Sequence, residues 1–443
     1  MLGERLQRKG EIKEFLEREI GKWLDENADL IISRYGVNIK IYPLLCGSYV
    51  EGFATKGSDV DIAVLVEGVK SIDKDINDSF REFISTLNES KEFKKLGISH
   101  ICGVKSLRTT SWLLSFRRSK NPAFRTHFFL FSELLHPMVG NDRIKKVLAD
   151  EDDLRGLKLK LIEEHKRRFG YEFPFEITDS CFENPKKYGL KKIYRQIQLV
   201  INSFIMLYGI GLPRALEEYT EEELMNKFRV VLRSSLPKEL YNKYSEELIE
   251  ILQQIRELRD KVKELGLKYV RLTGLVKKGI IKQEELQKIE FLMEFIYHLI
   301  YRPLKDYYEL HTKLVEALTL LGWKIRYLGL RTTHAYIALD HQIINCIDII
   351  PLEGNKHEYA LCLIVKDKWL DDFERSYSDI LVEVKEEIVI SKTLKVPVRV
   401  HRELSKVKRR GRYRKHFKVA TLNKNSSPQQ ISKILRNAVV SFR

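Results

Sequence analysis

Asp59 and Asp61 stand on either side of Val60 at the head of the apolar run DVDIAVLV, and Gly47 and Ser48 lie a short way upstream in GSYVEGFATKGSDVD. Alternate residues of a strand project to the same face, so the two carboxylates would point one way while Val60 and Ile62 enter the core. Carboxylates that close repel each other unless cations lie between them. Mg²⁺ ions about 3.5 to 4 Å apart could bridge them and a triphosphate. Gly47 lets the backbone approach an anion, and the Ser48 hydroxyl and the amides of the turn can donate to phosphate oxygens. Ser58 and Lys56 are further candidates for phosphate contact, with Lys56 equally readable as a polar loop residue. The chemistry these residues suit is metal-assisted nucleotidyl transfer. A solvated Gly-Ser loop before a surface strand would give the same short pattern, but the turn, the spacing and the flanking elements agree with a site.

The elements that must position these residues are legible from periodicity. Residues 11–34 place Ile12, Phe15, Leu16, Ile20, Trp23, Leu24 and Ile31 at helical spacing, and Gly36 ends the run. VNIKIYPLLCG and DIAVLVEG read as strands around the Gly-Ser turn, with Gly68 closing the second. Long segments of helical period follow, such as LKKIYRQIQLVINSFIMLY and EELQKIEFLMEFIYHLIY; short β-like runs then appear in WKIRYLGL, HAYIALD, INCIDIIPL and YALCLIVK. The expected organisation is a catalytic domain over 1–150, a helical domain over 151–304 and an α+β module over 305–443.

Cys46-Gly47-Ser48 followed by Asp59-Val60-Asp61-Ile62 resembles the signature of the DNA polymerase beta nucleotidyltransferase superfamily. That resemblance covers about residues 38–68 and implies an α+β fold with a mixed sheet. It also implies that Asp59 and Asp61 ligate Mg²⁺, or Mn²⁺, that the Gly47-Ser48 turn holds the phosphates of a nucleoside triphosphate, and that a third acidic residue on a later strand completes the site. A second stretch resembles the bacterial uridylyltransferases of nitrogen signalling through Leu134-Leu135, Gly140, Asp142 and Gly189-Leu190. It departs from them at Met138, Lys191 and Lys192, where arginine, arginine and aspartate are expected.

The third carboxylate is missing from the strand where it is expected. GISHICGVKSL is the natural candidate strand and contains no acid. Asp348 in INCIDIIPL resembles the last acidic ligand of archaeal CCA-adding enzymes and poly(A) polymerases, which makes it a candidate catalytic and metal-binding residue; using it requires the helical region to be an insertion in the catalytic sheet. A competing resemblance is to restriction-endonuclease-like folds through Asp348 and Lys366, with Ile364 standing where an acid belongs. A third reading leaves Asp348 as a strand-edge residue.

Charge and composition bound the partners. The 443 residues carry 78 Lys and Arg against 62 Asp and Glu, a net charge of +16, which favours an anionic partner. Residues 402–418, with nine Lys or Arg and one Glu, interleave Arg409, Arg410, Arg412 and Arg414 with Tyr413, His416 and Phe417, a pattern suited to RNA or DNA and equally to a solvated basic loop. The five cysteines are odd in number and scattered, so a reducing, cytoplasmic setting is expected. No apolar stretch reaches the roughly 18 residues of a membrane span, and no membrane partner is expected. The sequence therefore predicts a Mg²⁺-dependent nucleotidyltransferase acting on an RNA end, a protein or a small molecule. The alternative is an inactive nucleotidyltransferase fold that binds nucleic acid or regulates.

Overall fold

The computed structural model describes residues 2–51, 54, 58–116, 121–171, 175–207, 219–236, 238–267, 269–330, 334–352, 358–377, 381–382 and 416–440. Contacts gather them into two compact units, one formed by 1–176, 211–220 and 261–267 and the other by 177–210, 221–260 and 268–443.

The first unit opens with α1 (Leu2–Glu26) and α2 (Ala28–Tyr35). Ile12, Phe15, Leu16, Ile20, Trp23 and Leu24 are all buried, as their spacing predicts. The single helix expected over 11–34 is divided at Asn27, whose side-chain amide donates to the Trp23 carbonyl at 2.8 Å. Asparagine competes with the helical ladder through its own amide, so it favours such a junction. The Trp23 indole N–H donates to Ser79 and the Ser79 hydroxyl to Asn27, which fastens the junction to the next helix.

β1 (Lys40–Cys46) runs antiparallel to β2 (Val60–Glu67). After α3 (Lys74–Glu89) and the short α4 (Lys91–Lys95), β3 (Ile101–Gly103) returns parallel to β2. β4 (Arg108–Thr109) also lies parallel to β2; α5 (Thr110–Leu114) and α6 (Pro122–Leu130) lead to β5 (Glu133–Leu134), antiparallel to β1. α7 (Asp142–Val147) and α8 (Glu151–Phe169) follow. The sheet is therefore mixed, as expected; its order is β3-β2-β1-β5, with β4 also pairing β2.

Alternation along β2 sorts its side chains. Val60, Ile62, Val64 and Val66 join the cluster built on α1, α2 and α3, each contributing roughly 1.5–3 kcal/mol by full burial. Asp61, Ala63, Leu65 and Glu67 take the other face. Ala63 and Leu65 are buried there, and Glu67 receives the Tyr42 hydroxyl at 2.5 Å and Lys160 of α8 at 2.8 Å. The partly exposed acids of this face are Asp61 at its beginning and Glu67 at its end, and Glu67 is paired with Lys160.

The second unit begins with helices, among them Leu190–Leu207, Glu221–Ser235, Gln283–Ile296 and Arg302–Leu320, the last two joined by a π-helical turn at Tyr297–Tyr301. An antiparallel sheet follows: β6 (Lys324–Leu330), β7 (Ala335–Asp340), β8 (Ile344–Pro351), β9 (Tyr359–Val365), β10 (Leu381–Val382) and β11 (His416–Leu422), ordered β10-β11-β9-β8-β7-β6. Helix Pro428–Val440 ends the described chain. The α+β class and the sequence of mixed sheet, helices and second sheet are as expected.

Candidate active site

β1 runs into a 3₁₀ turn over Gly47–Tyr49, where Gly47 takes φ +65° and its carbonyl accepts the amides of Val50 and Glu51 at 3.1 and 2.9 Å. A side chain at position 47 would strike the Asp61 carboxylate. Glycine is required here twice over, by the left-handed backbone and by the acid that rests against it. Glu51, buried just beyond the turn, meets His127 of α6 at 3.2 Å, and the His127 ring packs 4.6 Å from Phe131. These contacts hold the turn against the body of the unit.

Asp61 lies on β2 opposite Cys46 of β1, and Asp59 lies one residue before the strand begins. Val60 and Ile62 are buried and both aspartates are partly exposed, which is the alternation expected from sequence. Ser48 sits half-buried in the turn and Ser58 is buried immediately before Asp59. Lys56 lies outside the described residues.

The neighbouring strand supplies donors of another kind. β3 pairs parallel to β2 with Val60 beside Ile101 and Asp61 beside Cys102, and the Val60 amide donates to the His100 carbonyl at 3.0 Å. That register sets His100 beside Asp59. His100 Nδ1 is 3.1 Å from Asp59 Oδ1, and its Nε2 is 2.8 Å from Cys102 Sγ. Ser99 donates its hydroxyl to Asp59. Gly103 at φ +83° lets β3 close on the Ile62 backbone. The donor atoms of Asp59, His100 and Cys102 lie within 4.8 Å of one another, and no other cluster of this kind occurs among the described residues. Burial raises the Cys102 thiol above its ordinary range, with the Asp59 and Asp61 charges acting in the same direction. GISHICGVKSL carries no acid, but His100 and Cys102 stand at alternate positions in it, the spacing that puts two strand side chains on one face.

As a cradle for cations, the face fits in part. Asp59 and Asp61 are oxygen donors at the mouth of a strand, as a hard divalent ion requires, whereas the adjacent strand contributes imidazole and thiol.

Asp348 lies on β8 in the sheet of the second unit, which does not include the strands of Asp59 and Asp61. It is buried, paired with His416 Nε2 at 2.8 Å, and accepts from Cys346 Sγ at 3.2 Å. Burial, together with the Asp348 charge, pushes the Cys362 thiol on β9 up to about 12. Ile364 is buried on β9 and Lys366 follows that strand. His416 and Phe417, expected to stack on bases, are instead buried on β11, with Phe417 5.4 Å from Phe373. Consecutive strand residues project to opposite faces, and both faces are covered here: His416 meets Asp348 on one, and Phe417 packs on Phe373 of helix Leu370–Tyr377 on the other. Arg409, Arg410, Arg412, Tyr413 and Arg414 lie outside the described residues. Leu134 belongs to β5, Gly140 donates its amide to Asp25 at 2.7 Å, Asp142 opens α7, and Gly189 directly precedes helix Leu190–Leu207.

Residues 31–102 match the family model described as a nucleotidyltransferase domain. The match runs from α2 through the Gly47 turn and both aspartates to Cys102. No curated protein matches the chain. No helix among the described residues is long and apolar enough to cross a membrane.

Proposed function

With a nucleotidyltransferase domain of the polymerase beta kind at residues 31–102, we propose that the protein transfers a nucleoside monophosphate from a nucleoside triphosphate to an acceptor hydroxyl, releasing pyrophosphate. The observation that carries this reading is the closeness of the Asp61 carboxylate to the Gly47 turn, which sets an acid against the Gly-Ser turn between β1 and β2. Asp59 and Asp61 would hold the divalent ions, Mg²⁺ or Mn²⁺. Ions bound there would supply charge neutralisation at the transferring phosphoryl group. The turn amides and Ser48 orient the triphosphate, with Ser58 supporting the approach to Asp59. Ser99 and His100 fix the Asp59 carboxylate, so less rotamer freedom is lost when substrate arrives.

The net charge of +16 favours a nucleic-acid acceptor. A second reading, a nucleotidyltransferase fold that binds without transferring, is favoured by the absence of an acid at His100 and Cys102. Incubation with α-labelled triphosphates, divalent ions and a panel of RNA, protein and small-molecule acceptors separates the two. Transfer by the wild type that falls to background in Asp59→Ala and in Asp61→Ala supports the enzyme. Undiminished transfer by the double variant removes these residues from the mechanism, and triphosphate binding without transfer to any acceptor supports the second reading.

A further inference from the structure

We infer that His100 and Cys102 take the place of the third carboxylate and make, with Asp59, a mixed oxygen, nitrogen and sulfur site for a borderline divalent transition metal of the Zn²⁺ or Co²⁺ class. The inference rests on the ion-binding face of the proposed function, but its test reads ion binding without any transfer.

The register of β2 and β3 makes the site. Parallel pairing sets Cys102 beside Asp61 and brings His100 to Asp59, so two residues from each strand line one edge of the sheet, while Val60 and Ile101 are buried on the opposite side. The imidazole already lies between acid and thiol, 3.1 Å from Asp59 Oδ1 and 2.8 Å from Cys102 Sγ. Ligands around a tetrahedral zinc-class ion, with bonds of about 2.0 to 2.3 Å, stand roughly 3.3 to 3.8 Å apart. Donors already within 4.8 Å of one another need only side-chain rotations to reach that spacing.

The three residues are accessible enough for an ion to enter: the side chains of His100 and Asp59 are 48% and 45% exposed. One imidazole nitrogen would ligate, leaving the other to donate to Asp59 or Ser99. The remaining position is open to Asp61 or to a phosphate oxygen.

Donor chemistry sets the preference. Mg²⁺ demands oxygen donors and gains nothing from a thiol, whereas a thiolate and an imidazole favour zinc-class ions. The thiol proton leaves to solvent when the metal–sulfur bond forms, so binding releases a proton and strengthens with rising pH. No oxidant or reductant is involved.

The test is a Co²⁺ titration of the full-length protein without nucleotide, monitored for the cobalt–thiolate charge-transfer band in the near ultraviolet and followed by displacement with Zn²⁺. The inference expects one saturable band that Cys102→Ser abolishes. His100→Ala should weaken Zn²⁺ binding by at least about tenfold, the lower end of the loss seen when even an outer-shell partner of a metal site is removed. Asp348→Asn should leave the band unchanged. Far-ultraviolet circular dichroism of each variant confirms that the sheet is retained, and the conservative serine keeps the test usable if His100→Ala fails to fold. Absence of the band in the wild type, its survival in Cys102→Ser, or a Zn²⁺ affinity unchanged in both the His100 and the Cys102 variant overturns the inference. A normal band in a protein that transfers no nucleotide would count against the proposed transfer and leave the metal site standing.

Discussion

The two sheets each place an aspartate against a histidine with a cysteine at hand, and they use the same three residue types for opposite ends. At the edge of the first sheet, the His100 and Asp59 side chains are 48% and 45% exposed. In the middle of the second, the His416 and Asp348 side chains are 5% and 6% exposed. Exposure leaves the first group open to an incoming ion and its water. The second is enclosed by β7, β9 and β11, where Asp348 meets His416 Nε2 and accepts from Cys346. A buried polar pair of this kind is costly to break, because each partner satisfies the other out of water. Residue type alone therefore does not distinguish a site from a structural fastening.

That contrast is sharpest in stability. Removing one partner of the buried pair, as in Asp348→Ala or His416→Ala, is expected to cost about 3–5 kcal/mol in the unfolding transition of the second unit. Urea denaturation with hydrogen-exchange protection of β8 and β9 would measure it. A cost below about 1 kcal/mol, within the range of an exposed pair, would show that Asp348 is not a structural fastening.

A smaller loss is expected at Gly47. Gly47→Ala forces an L side chain into left-handed backbone and against Asp61, at a cost of about 1–3 kcal/mol, with nucleotide affinity falling further than stability because the turn is displaced. Thermal unfolding alongside triphosphate titration checks both halves. Unchanged nucleotide affinity would detach the turn from the phosphate.

The exposed group should matter least to folding. Asp59→Asn and His100→Ala are expected to move stability by no more than about 1 kcal/mol, since solvent screens an exposed pair. Thiol labelling refines this: in the native protein Cys102 should react before the buried Cys46, Cys181, Cys346 and Cys362, and Zn²⁺ should protect it. Simultaneous labelling of Cys346 or Cys362 would mean that the second sheet opens as readily as the first.

A pH effect belongs to the body of the first unit. Burial lowers His165 to about 4 from its ordinary 6.5, so the unfolded chain binds its proton more readily. The stability contributed by neutral His165 is complete above about 6.5, declines as pH falls towards about 4, and is constant below that. His165→Phe should flatten this part of the stability profile, read by denaturation at stepped pH. An unchanged slope would assign the acid sensitivity to other groups.

The primary sequence by itself determined the elements that carry the carboxylates. The period of Ile12 to Leu24, the alternation at Asp59 to Val66, and the glycines at 36, 47 and 68 are local signals, dictated by helix and strand geometry and by backbone sterics. They specified a helix, two strands and an intervening turn, and with them the candidate ion-binding face. The break at Asn27 was less legible, because one asparagine does not disturb the apolar period around it. What lies beside Asp61 depended on register between strands separated by a crossover, and no local pattern encodes which residue of β3 stops opposite it. Tertiary structure alone placed His100 and Cys102 at that edge and buried Asp348 with His416, because pairing and burial are properties of the assembled sheets and not of any single segment.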